Sequence, residues 1–267
     1  MKRFALSFIL LVFSVQPLLA VEEAELSQPI PVAQAGGGTY LVPFYDPEEM
    51  AKLQGLSGEP SVKIKLISPQ WNEILSTPDV TVKYQLENYE VGQPVPGQHI
   101  HVILDNSPYE ADYTPEGSIL FRNVAEGTHT ISVFAARKFH LSLKSEQAFD
   151  QATFHVVKND GKNSPIPGEP ELIYSRPKGS YSKADGSADN IMLDFYLRNV
   201  ELSPTGYRVR AQADQQEPVY LSEWKPVILL KNPEVGDHTV TLELVDLDDE
   251  IVSGPFNSTA RKFTVTE

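Results

Sequence analysis

The feature that most constrains this chain is a duplicated pattern at a fixed offset. Gly127-Thr128-His129-Thr130-Ile131-Ser132-Val133 returns 109 residues later as Gly236-Asp237-His238-Thr239-Val240-Thr241-Leu242. In each copy a turn residue precedes a histidine, and small or polar residues then alternate with β-branched or aliphatic ones. That alternation puts one side chain in two on a buried face and predicts a strand. The same offset relates Gly97 to Gly206, Asp105 to Asp214, Ile119-Leu120 to Ile228-Leu229, Asn123 to Asn232, and Phe154 and Val156 to Phe263 and Val265. Upstream it becomes 111, where Leu86 and Asn88 meet Leu197 and Asn199, so a loop differs in length between the second and third strands. The period is too long for a solenoid and predicts two tandem copies of one β-rich domain.

Around these anchors the chain divides. Lys2 and Arg3, the apolar run Phe4–Val15 and a cut after Ala20 read as an export signal, too short to span a bilayer. Residues 21–60 read as a flexible segment, acidic at Glu22, Glu23 and Glu25 and rich in Pro and Gly, with one short helix expected over Pro47–Leu56. Residues 61–158 and 170–267 are the two domains, and the turn- and proline-rich stretch 159–169 links them. In the first domain strands are expected around Val62–Leu66, Val80–Leu86, Ile100–Leu104, Ile119–Phe121, Ile131–Val133 and Phe154–Val156. Six or seven short strands in about 100 residues indicate an antiparallel β-sandwich.

A turn with glycine, an aromatic or histidine, and then alternating apolar residues resembles the corner before the sixth strand of bacterial secreted Ig-like and fibronectin-III-like modules. The exit Ser68-Pro69 is similar to the first-strand exit of those modules, although Trp71-Asn72 departs from their turn. The resemblance implies an all-β fold of two tandem Ig-like sandwiches, with His129 and His238 at the place where such modules commonly keep a corner tyrosine. Such modules serve adhesion, spacing, carbohydrate binding and chaperoning, so the resemblance leaves function open. Because the two histidines recur at one position, they are expected to be structural, with both ring nitrogens bonded.

What the two copies do not share is a better place to look for function. His99 and His101 alternate with Ile100 and Val102, so both project from one strand face about 7 Å apart. Their counterparts are Arg208 and Arg210, which predicts a solvent-facing strand face. A His-x-His pair binds Cu²⁺ or Zn²⁺ when a third donor approaches, and His140 and His155 are the available imidazoles, with Asp105 and Glu110 the nearby carboxylates. Tyr109 and Tyr113 in the first domain, and Tyr220 and Trp224 in the second, are candidates for stacking on a sugar or peptide, provided they are exposed. Asp246, Asp248, Asp249 and Glu250, and the loop Asp185–Asp189, offer oxygens to Ca²⁺ but lack the spacing of a dedicated loop.

Composition narrows the classes further. The net charge is −14, and loss of Lys2 and Arg3 with the signal takes it to −16, a field that repels phosphate backbones. Nucleic acid is therefore not an expected partner. There is no cysteine, hence no disulfide, thiol nucleophile or lipid attachment through sulfur. No Gly-x-Ser-x-Gly elbow, His-Glu-x-x-His helix or phosphate-cradling loop is present, so no catalytic activity is expected. The sequence thus predicts an exported, periplasmic or extracellular, non-catalytic binding or spacer protein. Its expected partner is a protein or polysaccharide of the cell envelope, with metal binding at the His99–His101 face as the alternative.

Overall fold

The computed structural model describes residues 40–44, 61–92, 97–137, 140–224, 227–231 and 233–267. The export signal, most of the segment 21–60 and the helix expected over Pro47–Leu56 lie outside them. The described residues form seventeen strands and one 3-10 turn at Glu146–Ala148. In chain order they are β1 (Tyr40–Phe44), β2 (Lys63–Ser68), β3 (Ile74–Leu75), β4 (Val80–Glu87), β5 (His99–Leu104), β6 (Glu110–Asp112), β7 (Ser118–Phe121), β8 (Gly127–Ala136) and β9 (Phe149–Val156). The second half supplies β10 (Glu171–Arg176), β11 (Gly179–Ser182), β12 (Asn190–Arg198), β13 (Arg208–Ala213), β14 (Val219–Leu221), β15 (Val227–Lys231), β16 (Gly236–Val245) and β17 (Ser258–Thr266). The chain is all-β, as its alternation predicts.

Four sheets pack as two sandwiches. In the first, β2-β4-β7 faces β3-β9-β8-β5-β6; in the second, β1-β15-β12-β10 faces β11-β17-β16-β13-β14. Each core is what the period-2 pattern selects. On β4, Val80, Val82 and Tyr84 are buried while Thr81, Lys83 and Gln85 are exposed. Those inward residues meet Ile100, Val102, Ile131, Val133, Phe154 and Val156 of the facing sheet. In the second sandwich Leu172, Tyr174, Leu193, Phe195, Val209, Ala211, Val240, Leu242 and Phe263 do the same. The strand β1 precedes the first sandwich in sequence yet pairs with β15, from Tyr40↔Lys231 to Phe44↔Val227, as an edge strand of the second.

The corner histidines behave as the repeat requires. His129 Nδ1 lies 2.5 Å from an Asp105 carboxylate oxygen and Nε2 lies 2.8 Å from the Ala125 carbonyl. His238 repeats this with Asp214 at 2.7 Å and the Glu234 carbonyl at 2.7 Å. Both ring nitrogens face oxygens in each copy. The other oxygen of each aspartate accepts the backbone N–H one residue on, Thr130 at 2.8 Å and Thr239 at 2.7 Å, closing the corner.

One face departs from the sequence expectation. All ten residues of β8 are buried, and His99, His101 and Ile103 of β5 are fully buried on the side away from their own core. The second sandwich covers that side. Ile103, Tyr109, Phe134 and Phe149 pack with Ile173 and Tyr196 into a separate apolar cluster, with Trp224 against it. The Arg208/Arg210 counterparts misled because β13 presents the same face half-exposed in the second sandwich. Polar groups fix the docking. The Asn106 side-chain oxygen accepts the Tyr174 N–H at 2.7 Å, and its amide nitrogen donates to Thr259 Oγ1 at 2.9 Å. Arg261 lies over the Tyr174 ring and donates to the carbonyls of Ser175 and Asn106, each at 2.8 Å. Gln151 donates to the buried Glu171 carboxylate at 2.8 Å and accepts from Arg198 at 2.7 Å.

Two outcomes follow. Truncating Asn106 to Ala leaves the buried Tyr174 N–H without its acceptor, and should cost about 1–3 kcal/mol. In urea unfolding the midpoint should fall with an unchanged slope; an unchanged midpoint would show that Asn106 does not hold the docking. The hydrogen bond to Asp105 holds the His129 pKa above its ordinary 6.5. The stability carried by charged His129 is therefore complete below about 6.5 and is lost as the pH rises through the raised value. Asp105→Asn keeps an oxygen for Thr130 N–H but removes the charge. Its Tm deficit relative to the parent should be largest near pH 6 and shrink towards about pH 9; a pH-independent deficit would contradict this assignment.

Candidate metal centre

Strand β5 places His99 and His101 on one face, and the loop leaving β8 brings in the third imidazole. His99 pairs opposite Ala136 at the end of β8. The chain then turns sharply, with His140 N–H bonded to the Arg137 carbonyl at 2.8 Å and His140 in the left-handed region at φ 69°. That turn lays His140 beside the start of β5. His99 Nε2 lies 3.0 Å from His101 Nε2 and 2.8 Å from His140 Nδ1. The three ring nitrogens all lie within 4.8 Å of one another, and no other cluster of this kind occurs among the described residues.

Surrounding groups orient each ring. His99 Nδ1 is 2.9 Å from the Gly97 carbonyl, which only accepts, so Nδ1 carries the proton and neutral His99 offers a lone pair at Nε2. His101 Nδ1 is 3.1 Å from Ser175 Oγ, a hydroxyl that can donate or accept and so suits either tautomer of His101. Ser175 reaches it from the second sandwich because the β10–β12 register shifts between Tyr174 and Arg176, a bulge that re-aims the intervening side chain. Tyr109 is buried and stacks on His101 with ring centroids 3.6 Å apart and planes 9° apart, while its hydroxyl lies 3.1 Å from His140 Nδ1. Tyr113, half-buried, covers His99 at 4.6 Å.

Electrostatics keep all three imidazoles neutral. Burial lowers each pKa, that of His101 well below 6.5 and that of His140 to about 3, and the nearby charges of Arg176 and Lys178 act in the same direction. Neutral imidazole is the form that ligates a metal. The carbonyl behind His99 and the hydroxyl behind His101 are the outer partners that ligating histidines commonly have.

The other candidates fall elsewhere. His155 is buried but sits opposite Thr128, with Nδ1 3.1 Å from Thr128 Oγ1. Along β8 that is eight residues from Ala136, or roughly 27 Å from the cluster. Asp105 holds the His129 corner, and Glu110 acts on Lys178 through its charge. Tyr220 is 40% exposed and lies under Arg208, whereas Trp224 is half-buried against Tyr196 and Lys144, with its indole N–H on the Phe195 carbonyl. Of the four aromatics, Tyr109 and Tyr113 thus join the histidines and Trp224 joins the docking cluster. The acidic loops cap their own turns. Asp246 accepts the N–H groups of Asp248 and Glu250 at 2.9 and 3.0 Å, Asp249 pairs with Arg208, and Asp185 accepts Ser187 N–H at 2.8 Å.

The duplication carried a signal for His140. At the 109-residue offset His99 and His140 correspond to Arg208 and Asp249, which form an ion pair at 2.7 Å, and Asp249 too has a positive φ of 63°. The same two positions therefore touch in both sandwiches. Ser175, Arg176 and Lys178 had no such signal, because they arrive from the other sandwich through a docking that no local pattern encodes.

No protein-family model matches the chain, and no curated protein is similar to it in sequence. Among solved structures it is similar to the fibronectin(III)-like modules of Clostridium thermocellum CbhA, at 15% identity over 76% of this chain and 94% of that one, with a TM-score of 0.28. It is similar also to the central fibronectin-III array of RIM-binding protein, at 13% identity over 79% and 71% of the two chains, with a TM-score of 0.27. At these scores the likeness bears on neither the cluster nor its chemistry. Among the described residues no helix is long and apolar enough to cross a membrane.

Proposed function

We propose that the protein is an exported, non-catalytic pair of Ig-like sandwiches whose binding function is to hold a copper ion on His99, His101 and His140. The observation that carries this reading is the convergence of three neutral ring nitrogens, on the buried His99 and His101 and the half-buried His140, with that of His99 3.0 and 2.8 Å from the other two. Three imidazole nitrogens suit Cu²⁺ or Zn²⁺, and among divalent ions a nitrogen donor set of this kind binds Cu²⁺ more tightly than Zn²⁺. To ligate, His101 moves its proton to Nδ1, where Ser175 Oγ accepts it, and His140 carries its proton on Nε2. Tyr109 and Tyr113 shield the site from bulk water on two sides.

The envelope protein or polysaccharide expected as a partner has less support. Tyr109 and Trp224 face inward, so only part of the aromatic set remains for stacking. The docked sandwiches support a spacer role alongside metal binding.

Addition of one equivalent of Cu²⁺ should give an electron paramagnetic resonance spectrum with coupling to three nitrogens. His140→Ala, at a half-buried loop position, should weaken binding by about two orders of magnitude, and the His99→Ala, His101→Ala double variant should abolish the spectrum. Ser175→Ala should weaken binding about tenfold through the orientation of His101. His155→Ala should bind as the parent does. A parent-like spectrum from the double variant, with the fold confirmed by circular dichroism, would end this reading.

A further inference from the structure

The two sandwiches close the same sheet edge differently. In the second, β15 lies between β12 and β1. In the first, its counterpart β7 pairs with β4, and among the described residues no strand lies on its other side. The two edges have similar sequences at the 109-residue offset, Ser118-Ile119-Leu120-Phe121-Arg122 against Val227-Ile228-Leu229-Leu230-Lys231. Exposure follows the difference in cover. Leu230, opposite Leu41 of β1, is buried, whereas Phe121 at the same position is half-buried and Leu120 beside it is 43% exposed.

Backbone alternation shows what the open edge offers. The Gly117 carbonyl accepts the Tyr84 N–H at 3.0 Å, so Ile119 and Phe121, two and four residues on, turn their N–H and C=O to β4. Ser118 and Leu120 turn theirs outward, and among the described residues no strand meets them. The second sandwich has the same register, since Leu193 stands opposite Ile228 as Val82 stands opposite Ile119. Ile228 therefore bonds inward, and Pro43, opposite it on β1, has its nitrogen on the far side of that strand. A proline there costs no hydrogen bond and stops the sheet from growing. Strand β7 has no such residue.

We propose that the β7 edge is a docking site for an extended apolar segment of a partner protein, which adds to the first sandwich as an antiparallel strand in the way that Tyr40–Phe44 adds to the second. Main-chain bonds to Ser118 and Leu120 hold it, and its alternate apolar side chains cover Phe121 on the core face and Leu120 on the outer face. The chain's own β1 is not that segment, because it is engaged at β15. Pairing of two β7 edges is opposed by the net charge of −14 on each chain. The edge is independent of the copper site.

The probe is a synthetic peptide of residues 38–46, Gly-Thr-Tyr-Leu-Val-Pro-Phe-Tyr-Asp, added to the purified full chain without metal while amide hydrogen exchange is followed residue by residue. The Ser118 and Leu120 amides should exchange freely in the protein alone and at least tenfold more slowly with saturating peptide. Leu120→Pro removes the outward donor and spares the bonds of Ile119 and Phe121 to β4, so it should weaken peptide binding at least tenfold. Leu120→Lys, a charge at an exposed edge position, should weaken it as well, and decides the matter if the proline variant does not fold. The proposal is overturned if the peptide protects no amide, if it protects only those of Val227–Lys231 by exchanging with β1, or if the folded variants bind it as the parent does. It is also overturned if the Leu120 amide is already slow in the protein alone. Slowing that grows with concentration would then assign the edge to a second copy, and slowing that does not would assign it to other residues of this chain.

Discussion

Burial of the outer face of β5 and β8 under the second sandwich is the constraint from which the rest follows. A strand normally has one wet face, and here both faces are dry. Apolar residues from both sandwiches meet there, Ile103, Phe134 and Phe149 packing with Ile173 and Tyr196. The polar residues caught beneath it must then find partners within the protein, since an unpaired buried group is costly. Asn106, Arg261, Gln151 and Glu171 do so through hydrogen bonds across the docking. His99 and His101 do so through Gly97, Ser175 and each other. The histidine cluster is in this sense a product of the docking: exposed to water on an open strand, the same two imidazoles would have no reason to converge with a third.

The duplicated sandwich makes the chemistry visible by contrast. At the positions of His99, His101 and His140 the second copy has Arg208, Arg210 and Asp249, and it satisfies them as surface ion pairs with Asp249 and Glu243. Arginine tolerates that half-exposed setting because its charge remains hydrated. Under the docked sandwich a permanent charge would be penalised, whereas neutral imidazole is accommodated. The substitution of three imidazoles for two guanidiniums and a carboxylate follows the change in dielectric surroundings. It converts a patch of fixed charges into a set of lone pairs.

Much of the architecture was legible in the residues. Alternation at Val80–Leu86 and Ile100–Leu104 located strands, and the offset shared by His129 and His238 separated structural histidines from candidate ligands. The offset also held the contact between His99 and His140, through Arg208 and Asp249, for a reader who followed it across the second hairpin. Solvent exposure was the reading that failed. Period-2 patterning says which residues share a face, but a neighbouring domain decides whether that face is wet. Ser175 shows the same limit, since its approach to His101 depends on a bulge in β10 and on how two separate sandwiches meet. Strand β1 lay within a stretch whose composition gave no hint of pairing, and it gains its place from an open sheet edge 190 or so residues away in the chain.

That last pairing has a consequence for how the molecule comes into being. The strand Tyr40–Phe44 leaves the ribosome before any of either sandwich, yet the edge it completes, Val227–Lys231, is made near the end. The first sandwich has all its own strands well before then and can fold while β1 has no neighbour. Closure of β1 onto β15 is therefore a late, long-range event, of the kind that slows folding and leaves an edge open in the meantime. It also means that the two halves are not separable at the linker: a fragment containing only the second sandwich would lack its own edge strand, and a fragment containing only the first would carry a strand with nothing to join.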